Sequence, residues 1–295
     1  MEKLINCPLC NNTDLKDFLN VKDFFLSKED FIIQECKKCG FRFLNPRPES
    51  VNLQKYYNSE EYVSHSDTSK GLINKAYHIF RYYNLSKKYK IINSKKQNGK
   101  ILDIGCGTAE FLKYCKNKNW EVAGIEPNDK AREISETKNH LHIIPENEIT
   151  KLESNSFDII TLWHVLEHIS DLNFQISEIK RLLKKEGYVF IAVPNHLCYD
   201  AFKYKEYWAA WDVPRHLYHF TQSSMKTLVQ KYNFQIEEIF PMKLDAFYVS
   251  LLSEKYLNKK INYFSAFLTG LKSNHKAKTN NNFSSLIYVI KNSNV

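Results

Sequence analysis

The chain has 295 residues, with 42 Lys and Arg against 33 Asp and Glu, a net charge of +9. A hydrophobic content of 43% is ordinary for a globular protein, so this length predicts one large domain or two unequal ones. No apolar run approaches the ~18 residues of a membrane span, and the first residues lack the apolar core of a signal peptide, which predicts a cytoplasmic protein.

Two Cys-x-x-Cys pairs near the N-terminus predict a metal site. The pairs are Cys7 with Cys10 and Cys36 with Cys39, and 25 residues lie between the two pairs. A total of seven cysteines, an odd number, fits a reducing compartment better than a disulfide framework. Four thiolates can surround one zinc ion tetrahedrally and leave no open position, so the zinc has a structural role. We therefore predict a zinc ribbon over residues 1–46.

A break in the pattern follows the ribbon. Asn45-Pro-Arg-Pro48 starts a connection, because each proline disfavours helix in the residue before it. Residues 69–94 then show apolar side chains at helical spacing. We predict a linker and helical cap over residues 47–98. Because this helix carries aromatic and basic side chains, a surface on which nucleic-acid bases stack is an alternative, although such an aromatic stripe more often belongs to the core.

The next segment predicts a buried strand, a tight turn and a helix. The apolar run 101–104 contains Asp103 and leads into Gly105-Cys106-Gly107, where the glycines allow the backbone to approach a ligand. In a dinucleotide fingerprint the sixth position is small, but here it is Glu110, whose charge opposes a pyrophosphate. A nucleoside with a sulfonium and an amino-acid tail carries positive charge instead and fits these carboxylates.

A second acidic position supports that ligand. Glu126 ends the next predicted strand 19 residues after Gly107 and is followed by Pro127. A carboxylate at this place can accept hydrogen bonds from both ribose hydroxyls.

A histidine-rich turn follows the predicted strand 157–165. His164-x-x-Glu167-His168 matches an inverted zinc-protease motif, but that motif needs a helix, whereas here it follows a β-run. The turn is instead predicted to lie above the ligand cleft.

These motifs resemble, in order and spacing, those of class I S-adenosylmethionine (SAM) methyltransferases: 101–111, 124–127, 157–168, and 183–187 with Pro194-Asn195. The resemblance covers roughly residues 99–240. It departs from the family at one position: the family's usual loop has its third glycine where this chain has Ala109. We expect that methyl group to be tolerated if Ala109 has a negative φ, at some loss of cofactor affinity.

The resemblance implies roles for individual residues. It places the cofactor SAM on Asp103, Gly105, Cys106, Gly107, Glu126, Pro127, Trp163 and His164. Glu167 and His168 resemble the Glu-His pair of ubiquinone-biosynthesis O-methyltransferases, so they are candidate catalytic residues, with His216 as the alternative base. A divalent ion at Glu167 and His168 is implied too, but His164 replaces an acid there, which argues against magnesium. Equally, this pair can be purely structural.

Two further segments complete a domain spanning residues 99–295. Residues 197–220 are rich in aromatic side chains and predict either a lid over the acceptor or simple packing onto the sheet. Within it, Arg215 is a candidate for pairing with a substrate phosphate or carboxylate. Residues 243–280 predict a helical insertion before the last strand, and its apolar face leaves open a weak association with a membrane surface.

The fold expected is therefore α/β, a Rossmann-like seven-stranded methyltransferase sheet with an N-terminal zinc ribbon and helical cap. The expected activity is SAM-dependent methyl transfer to a small or medium hydroxylated acceptor, such as a sugar or glycan intermediate. Two alternatives stay open: an RNA methyltransferase gripping phosphates with its basic surface, and a non-catalytic module that binds zinc and SAM. A nucleic-acid partner is not the favoured one.

Overall fold

The computed structural model describes residues 1–57 and 72–293, so the start of the helix predicted at residue 69 lies outside the described residues. The strands are β1 Leu15–Lys22, β2 Asp30–Cys36, β3 Arg42–Leu44, β4 Lys100–Ile104, β5 Glu121–Ile125, β6 Phe157–Trp163, β7 Leu183–Pro194, β8 Tyr218–His219, β9 Phe234–Pro241 and β10 Ser285–Asn292. The α-helices are α1 Ser50–Leu53, α2 Leu72–Lys95, α3 Glu110–Lys116, α4 Asp129–Asn139, α5 Leu172–Leu182, α6 Tyr199–Tyr204, α7 Gln222–Gln230, α8 Asp245–Asn258 and α9 Tyr263–Asn280.

The chain divides into two compact units made of interleaved segments. Unit 1 comprises residues 1–58, 164–175 and 191–289, and unit 2 comprises residues 59–163, 176–190 and 290–295. Unit 1 joins residues from all three consecutive domains expected from the sequence, so those linear boundaries stay a prediction.

The larger sheet has six strands in the described residues, in the order β5-β4-β6-β7-β10-β9. In unit 2, β4 pairs in parallel with β5 and with β6, as expected for a doubly wound fold. The fully buried apolar side chains of Ile101, Leu102 and Ile160 explain why these segments read as near-continuous hydrophobic runs. Residues 141–144, whose apolar run also predicts a strand, make one parallel bridge, between Ile125 and Ile144, in place of a regular strand.

A smaller sheet in unit 1 has the order β1-β2-β3-β8. β1, β2 and β3 are antiparallel strands within the segment predicted to form the ribbon. β8 is the unexpected member, because it comes from the segment predicted to form a lid. Its residues Tyr218 and His219 pair with Phe43 and Arg42 of β3.

Packing around β8 explains this pairing. Phe41 lies against Phe43, Tyr218 and Phe220, with ring centroids 5.6–6.2 Å apart, and all four are buried. Aromatic burial of this kind contributes strongly to a core. The aromatic segment 197–220 therefore supplies core of unit 1, with Trp208 and Trp211 also buried.

The two helices expected within residues 243–280 are present as α8 and α9, in unit 1. Among the helices in the described part of the chain, none has the length and apolar character needed to cross a bilayer.

Candidate functional site

The glycine turn after β4 is held against the end of β5 in unit 2. The backbone N–H groups of Gly105 and Cys106 both donate to the carbonyl of Ile125, at 2.7 and 3.0 Å. Gly105 and Gly107 have φ of +69° and +56°, values that glycine adopts without steric penalty. The turn therefore brings bare backbone to the carboxyl end of a parallel strand, where such sheets bind ligands.

The backbone is strained at Ala109, two residues after Gly107. Ala109 has φ of +60° and ψ of 27°, and its side chain is fully buried just before α3. The condition under which the extra methyl group would be tolerated, a negative φ, is therefore not met. A left-handed conformation costs a residue with a Cβ atom roughly 1–2 kcal/mol. Ala109 thus has a backbone conformation that a glycine would adopt without strain.

Asp103 lies buried near the end of β4. The hydroxyl of Thr161 donates to its carboxylate at 2.5 Å. Burial disfavours the charged form and raises the pKa of Asp103 to about 7, although the Thr161 bond and the nearby charge of Lys88 act the other way. A cationic ligand group would lower that pKa again, so Asp103 is poised to ionise when such a group binds.

Glu126 is fixed by the backbone of two loops. Its carboxylate accepts hydrogen bonds from the N–H groups of Gly107 at 2.8 Å and Asn128 at 2.9 Å. Burial raises the pKa of Glu126, and these two bonds partly offset the effect. Pro127 follows in the chain, and Asn128 then caps α4 by accepting from the N–H of Ala131. The carboxylate is thus tied to the glycine turn and retains lone pairs for a ligand.

Trp163 ends β6 beside the same turn. Its ring packs edge-on against Phe111, with centroids 5.4 Å apart, and the ammonium of Lys88 lies 4.6 Å from the ring centroid. The indole Nε1 is buried, with no hydrogen-bond partner in the part of the chain that the structure describes. Burial raises the pKa of the Cys106 thiol, so that group stays protonated at neutral pH.

The histidine-rich turn lies in unit 1, where residues 166–168 form a short 3₁₀ helix. His164 is held between two carboxylates: its Nδ1 is 3.3 Å from Glu167 and its Nε2 is 3.1 Å from Asp245. Burial opposes the imidazolium charge, but these two partners outweigh it and raise the pKa of His164 to about 9. His164 is therefore a cation at neutral pH.

His168 has the opposite electrostatics. Its Nδ1 lies 3.0 Å from the carbonyl of Arg215 and 2.9 Å from the hydroxyl of Tyr57. A carbonyl only accepts, so Nδ1 carries the proton and Nε2 keeps its lone pair. Burial and the neighbouring His216 lower the pKa of His168 to about 4, which keeps the ring neutral.

His216 and Glu167 complete this cluster. The rings of His168 and His216 are 4.6 Å apart between centroids, and one potential ligand atom from each of Glu167, His168 and His216 lies within 4.8 Å of the others. Nδ1 of His216 lies 2.9 Å from the carbonyl of Ala210, so it too carries its proton there. Glu167 is fully buried, and among the described residues neither of its carboxylate oxygens has a hydrogen bond of normal geometry. Its ion pair with His164 outweighs the effect of burial and lowers its pKa.

Arg215 does not serve the role suggested from the sequence. Its guanidinium is buried and forms ion pairs with Asp23 at 3.0 Å and Asp212 at 2.5 Å. Both carboxylates already neutralise it, so pairing with a substrate anion is not supported. Its carbonyl instead orients His168.

The four ribbon cysteines converge. The Sγ atoms of Cys7 and Cys39 are 3.6 Å apart, those of Cys10 and Cys36 are 3.5 Å apart, and all four lie within 4.8 Å of one another. A tetrahedral zinc site with Zn–S bonds of about 2.3 Å needs sulfurs about 3.8 Å apart. The residues present therefore fit one zinc ion.

The two cysteine pairs have the same backbone form. Asn11 and Gly40, which directly follow the second cysteine of each pair, have φ of +59° and +71°. Their N–H groups donate to the carbonyls of Cys7 and Cys36 at 2.9 and 2.8 Å. Each pair is thus a closed turn that directs two sulfurs to one point.

Comparison with known proteins agrees with this geometry. A family model described as "Methyltransferase domain" matches residues 77–239, which is more than half of the chain.

The chain belongs to the class I SAM-dependent methyltransferases.

Curated relatives of this methyltransferase include a ubiquinone biosynthesis O-methyltransferase from Pelagibacter ubique, 36% identical over 120 residues, which are 38% of this chain and 50% of the relative. A demethylmenaquinone methyltransferase from Staphylococcus haemolyticus is 28% identical over 122 residues, 38% of this chain and 51% of the relative. The chain spans about half the length of the curated relatives it matches.

Solved methyltransferase structures share the fold. Haemonchus contortus phosphoethanolamine N-methyltransferase 2, in complex with SAM, aligns with a TM-score of 0.53 at 16% identity and covers 95% of this chain and 69% of that chain. At this identity the likeness concerns the Rossmann-like methyltransferase fold alone.

The candidate residues chosen from the sequence fall into two groups, and several of their partners were not predicted. Asp103, Glu126 and the glycine turn lie together in unit 2, and Glu167, His168 and His216 lie together in unit 1. Tyr57 and Asp245 were missed, since each lies about 80 residues or more from its histidine partner and no local pattern marks it. Asp212 carried a signal, because it precedes His216 by one helical turn of sequence.

Proposed function

We propose that this methyltransferase moves a methyl group from SAM to a hydroxyl oxygen of a small or medium acceptor, with His168 as the general base. The observation that carries the proposal is the neutral imidazole of His168, whose Nδ1 proton is held by the Arg215 carbonyl beside the buried Glu167. SAM, when bound, supplies a methyl group already activated on sulfonium. The protein then has to align the nucleophile and accept its proton.

We assign cofactor binding to the residues of the glycine turn and its neighbours: Asp103, Gly105, Cys106, Gly107, Glu126, Pro127 and Trp163. The buried carboxylate of Asp103 suits the cationic end of SAM, and Glu126 suits the ribose hydroxyls. His164 is a weaker candidate than the sequence suggests, because both ring nitrogens face carboxylates.

His168 can take up a proton at Nε2 because its Nδ1 is already protonated. An imidazolium formed there would lie beside the buried carboxylate of Glu167, which is also paired with His164. Such a carboxylate stabilises the cation and holds the ring orientation. A pKa of about 4 makes the free ring a modest base, but one that is unprotonated over the whole neutral range. His216, with the same tautomer-fixing contact, is the alternative base.

A magnesium ion at Glu167 and His168 is poorly supported. Magnesium prefers oxygen ligands in octahedral geometry, whereas the groups that converge here are one carboxylate and two imidazoles. The imidazolium of His164 also competes for Glu167. The divalent ion therefore stays a prediction, and no step of the proposed chemistry depends on it.

We assign one structural zinc to Cys7, Cys10, Cys36 and Cys39, on the fit of the sulfur positions. With four protein ligands, this ion leaves no position for a substrate.

The acceptor class follows from chemistry and analogy. A sugar or glycan hydroxyl is the acceptor favoured from the sequence, and a ring hydroxyl is supported by relatives named ubiquinone biosynthesis O-methyltransferase. Both acceptors present an O–H whose proton must be removed, which is the task proposed for His168.

The test measures cofactor affinity and turnover separately. Wild type, His168→Ala and His216→Ala would be titrated with SAM by calorimetry and assayed with labelled methyl groups against glycan and phenolic acceptors. We expect His168→Ala to bind SAM as wild type does while turnover falls by about 10²–10⁴-fold. Full activity of His168→Ala, with loss only in His216→Ala, would transfer the base role to His216.

A matched control uses the cofactor residues. Asp103→Asn and Glu126→Gln should weaken SAM binding. If wild type binds SAM but methylates neither acceptor class, the proposal of O-methyl transfer fails while the family assignment stands.

A further inference from the structure

α9 presents its large apolar side chains to solvent and buries its small ones. The buried positions are Ala266, Thr269, Gly270, Ser273 and Ala277. The exposed large apolar positions are Tyr263, Phe264, Phe267, Leu268 and Leu271, with Phe264 72% and Phe267 54% exposed. A helix that only packs onto its own domain shows the opposite arrangement.

The small residues explain how α9 docks on α8. A Cβ atom added at Gly270 would clash with the ring of Phe247, so the helices approach closely at this point. Asn262 caps the start of α9 by accepting from the N–H of Ser265 at 3.0 Å. The orientation of the helix is therefore fixed by packing, and the apolar face is held outward.

The exposed face is a continuous stripe. Residues 263, 264, 267, 268 and 271 follow the i, i+4, i+8 spacing of one helix side and extend about 12 Å along the axis. Contiguous exposed apolar surface of this kind on a soluble domain marks an interaction site.

Charge around the stripe selects its partner. Residues 255–280 contain six lysines and no Asp, Glu or Arg: Lys255, Lys259, Lys260, Lys272, Lys276 and Lys278. Lys259 and Lys260, just before α9, are exposed, as are Lys272, Lys276 and Lys278 in its second half. Apolar and aromatic side chains bordered by lysines are the signature of a helix that lies in an anionic membrane interface.

We propose that α9 docks this protein on the surface of an anionic lipid bilayer, with the stripe 263–271 inserted among the headgroups and the flanking lysines on lipid phosphates. A second copy of the chain fits less well, because a symmetric contact would bring two lysine-rich, acid-free segments together. An RNA surface fits less well too, since the segment has no arginine and its stripe includes aliphatic Leu268 and Leu271.

The test is vesicle flotation of the full chain. Vesicles of phosphatidylcholine alone are compared with vesicles containing about 30% phosphatidylglycerol, since anionic lipid attracts the flanking lysines. Wild type should float with the anionic vesicles and remain mostly unbound with neutral ones. The variant Phe264→Ser/Phe267→Ser should lower the partition constant for anionic vesicles by about tenfold or more.

Three controls make the result decisive. Phe174→Ser changes an exposed phenylalanine of α5, 46% exposed, and should float as wild type does. Lys259→Glu/Lys260→Glu should remove the preference for anionic vesicles independently of the apolar change. Unfolding midpoints of all variants should match wild type, because the altered side chains are exposed.

The proposal is overturned if wild type ignores anionic vesicles, or if Phe264→Ser/Phe267→Ser floats unchanged. It is also overturned if wild type is a dimer and this variant is a monomer. The same holds if the variant loses binding of labelled RNA but keeps binding of lipid.

Discussion

At the residue scale, Ala109 is the position where sequence and backbone disagree. Its left-handed φ of +60° is one that glycine accepts freely and alanine does not. The cofactor loop of this chain therefore keeps a glycine geometry with an alanine in place, and the strain is local to the turn that leads into α3.

Ala109→Gly should make the protein slightly more stable. Relief of about 1–2 kcal/mol of backbone strain exceeds the 0.4–1 kcal/mol or so that glycine loses through a freer unfolded chain. We expect a gain on the order of 0.5 kcal/mol in the free energy of unfolding, measured by urea denaturation. Ala131→Gly in α4 is the control and should lose about 1 kcal/mol. If Ala109→Gly destabilises the protein as much as Ala131→Gly does, then Ala109 does not have a left-handed φ.

The His164 ion pairs should make stability fall at alkaline pH. The folded pKa of about 9 exceeds the unfolded value of 6.5, so the contribution is fully present below pH 6.5 and is lost as pH rises through 9. Because the ring is partly exposed, we expect a loss on the order of 1–2 kcal/mol across this window. Asp245→Asn should flatten the curve of unfolding free energy against pH.

The control for that measurement is Asp14→Asn, an exposed carboxylate paired with Lys37. It should leave the pH dependence as in wild type. An Asp245→Asn curve parallel to that of wild type would contradict a cationic His164.

At the element scale, we predict that strands β1–β3 depend on a zinc ion held by the four cysteines. Chelation of zinc should remove the order of β1–β3, since the binding free energy of structural zinc is also folding free energy. Cys36→Ala should lower the unfolding midpoint of the zinc-loaded protein markedly and reduce its zinc content.

Cys115→Ala provides the matched comparison, because Cys115 is a buried thiol in α3 outside the cluster. It should keep one zinc per chain and lose only about 1 kcal/mol through a small cavity. Equal zinc content and equal stability in the two variants would remove the structural role of the metal.

Elements with a strong local pattern were predictable, and long-range pairings were not. The apolar runs around Ile101 and Ile160 identified β4 and β6, because strands buried on both faces have no polar alternation. Residues 141–144 had a similar run, but only Ile144 makes a bridge, so the run alone did not decide strand formation. The pairing of β8 with β3 joins residues about 175 apart, and no spacing in the sequence encodes such a contact.

The candidate site followed the same rule. Asp103, Glu126, Glu167 and His168 were identifiable because each directly follows or ends a predicted strand. Their protonation was not, since the pKa of His168 depends on burial and on His216, and that of His164 on Asp245. Arg215 was misjudged for the same reason: its partner Asp23 lies in the ribbon portion of the chain.

At the whole-molecule scale, the two ligands proposed for this chain, SAM and zinc, bind different sets of residues. Hydrogen exchange should record this. SAM should raise the protection of residues 100–107 and 121–128, which carry the glycine turn and Glu126. Chelation of zinc should lower the protection of residues 7–12 and 36–44.

Mass spectrometry of peptic fragments can follow both sets in one sample. The product S-adenosylhomocysteine should act as SAM does, whereas a nucleoside triphosphate should not, because the charge of Glu110 opposes a phosphate chain. Protection by the triphosphate at residues 100–107 would contradict the cofactor site as assigned.

The pairing of β8 with β3 limits how this chain can be divided. A fragment ending at residue 46 would keep all four cysteines but leave the outer edge of β3, and the ring of Phe41, without their partners from residues 218–220. An open strand edge beside exposed aromatic surface invites self-association. The ribbon is therefore not a detachable module, and an insertion or exchange at the Asn45-Pro-Arg-Pro48 joint has to bring residues 217–220 with it.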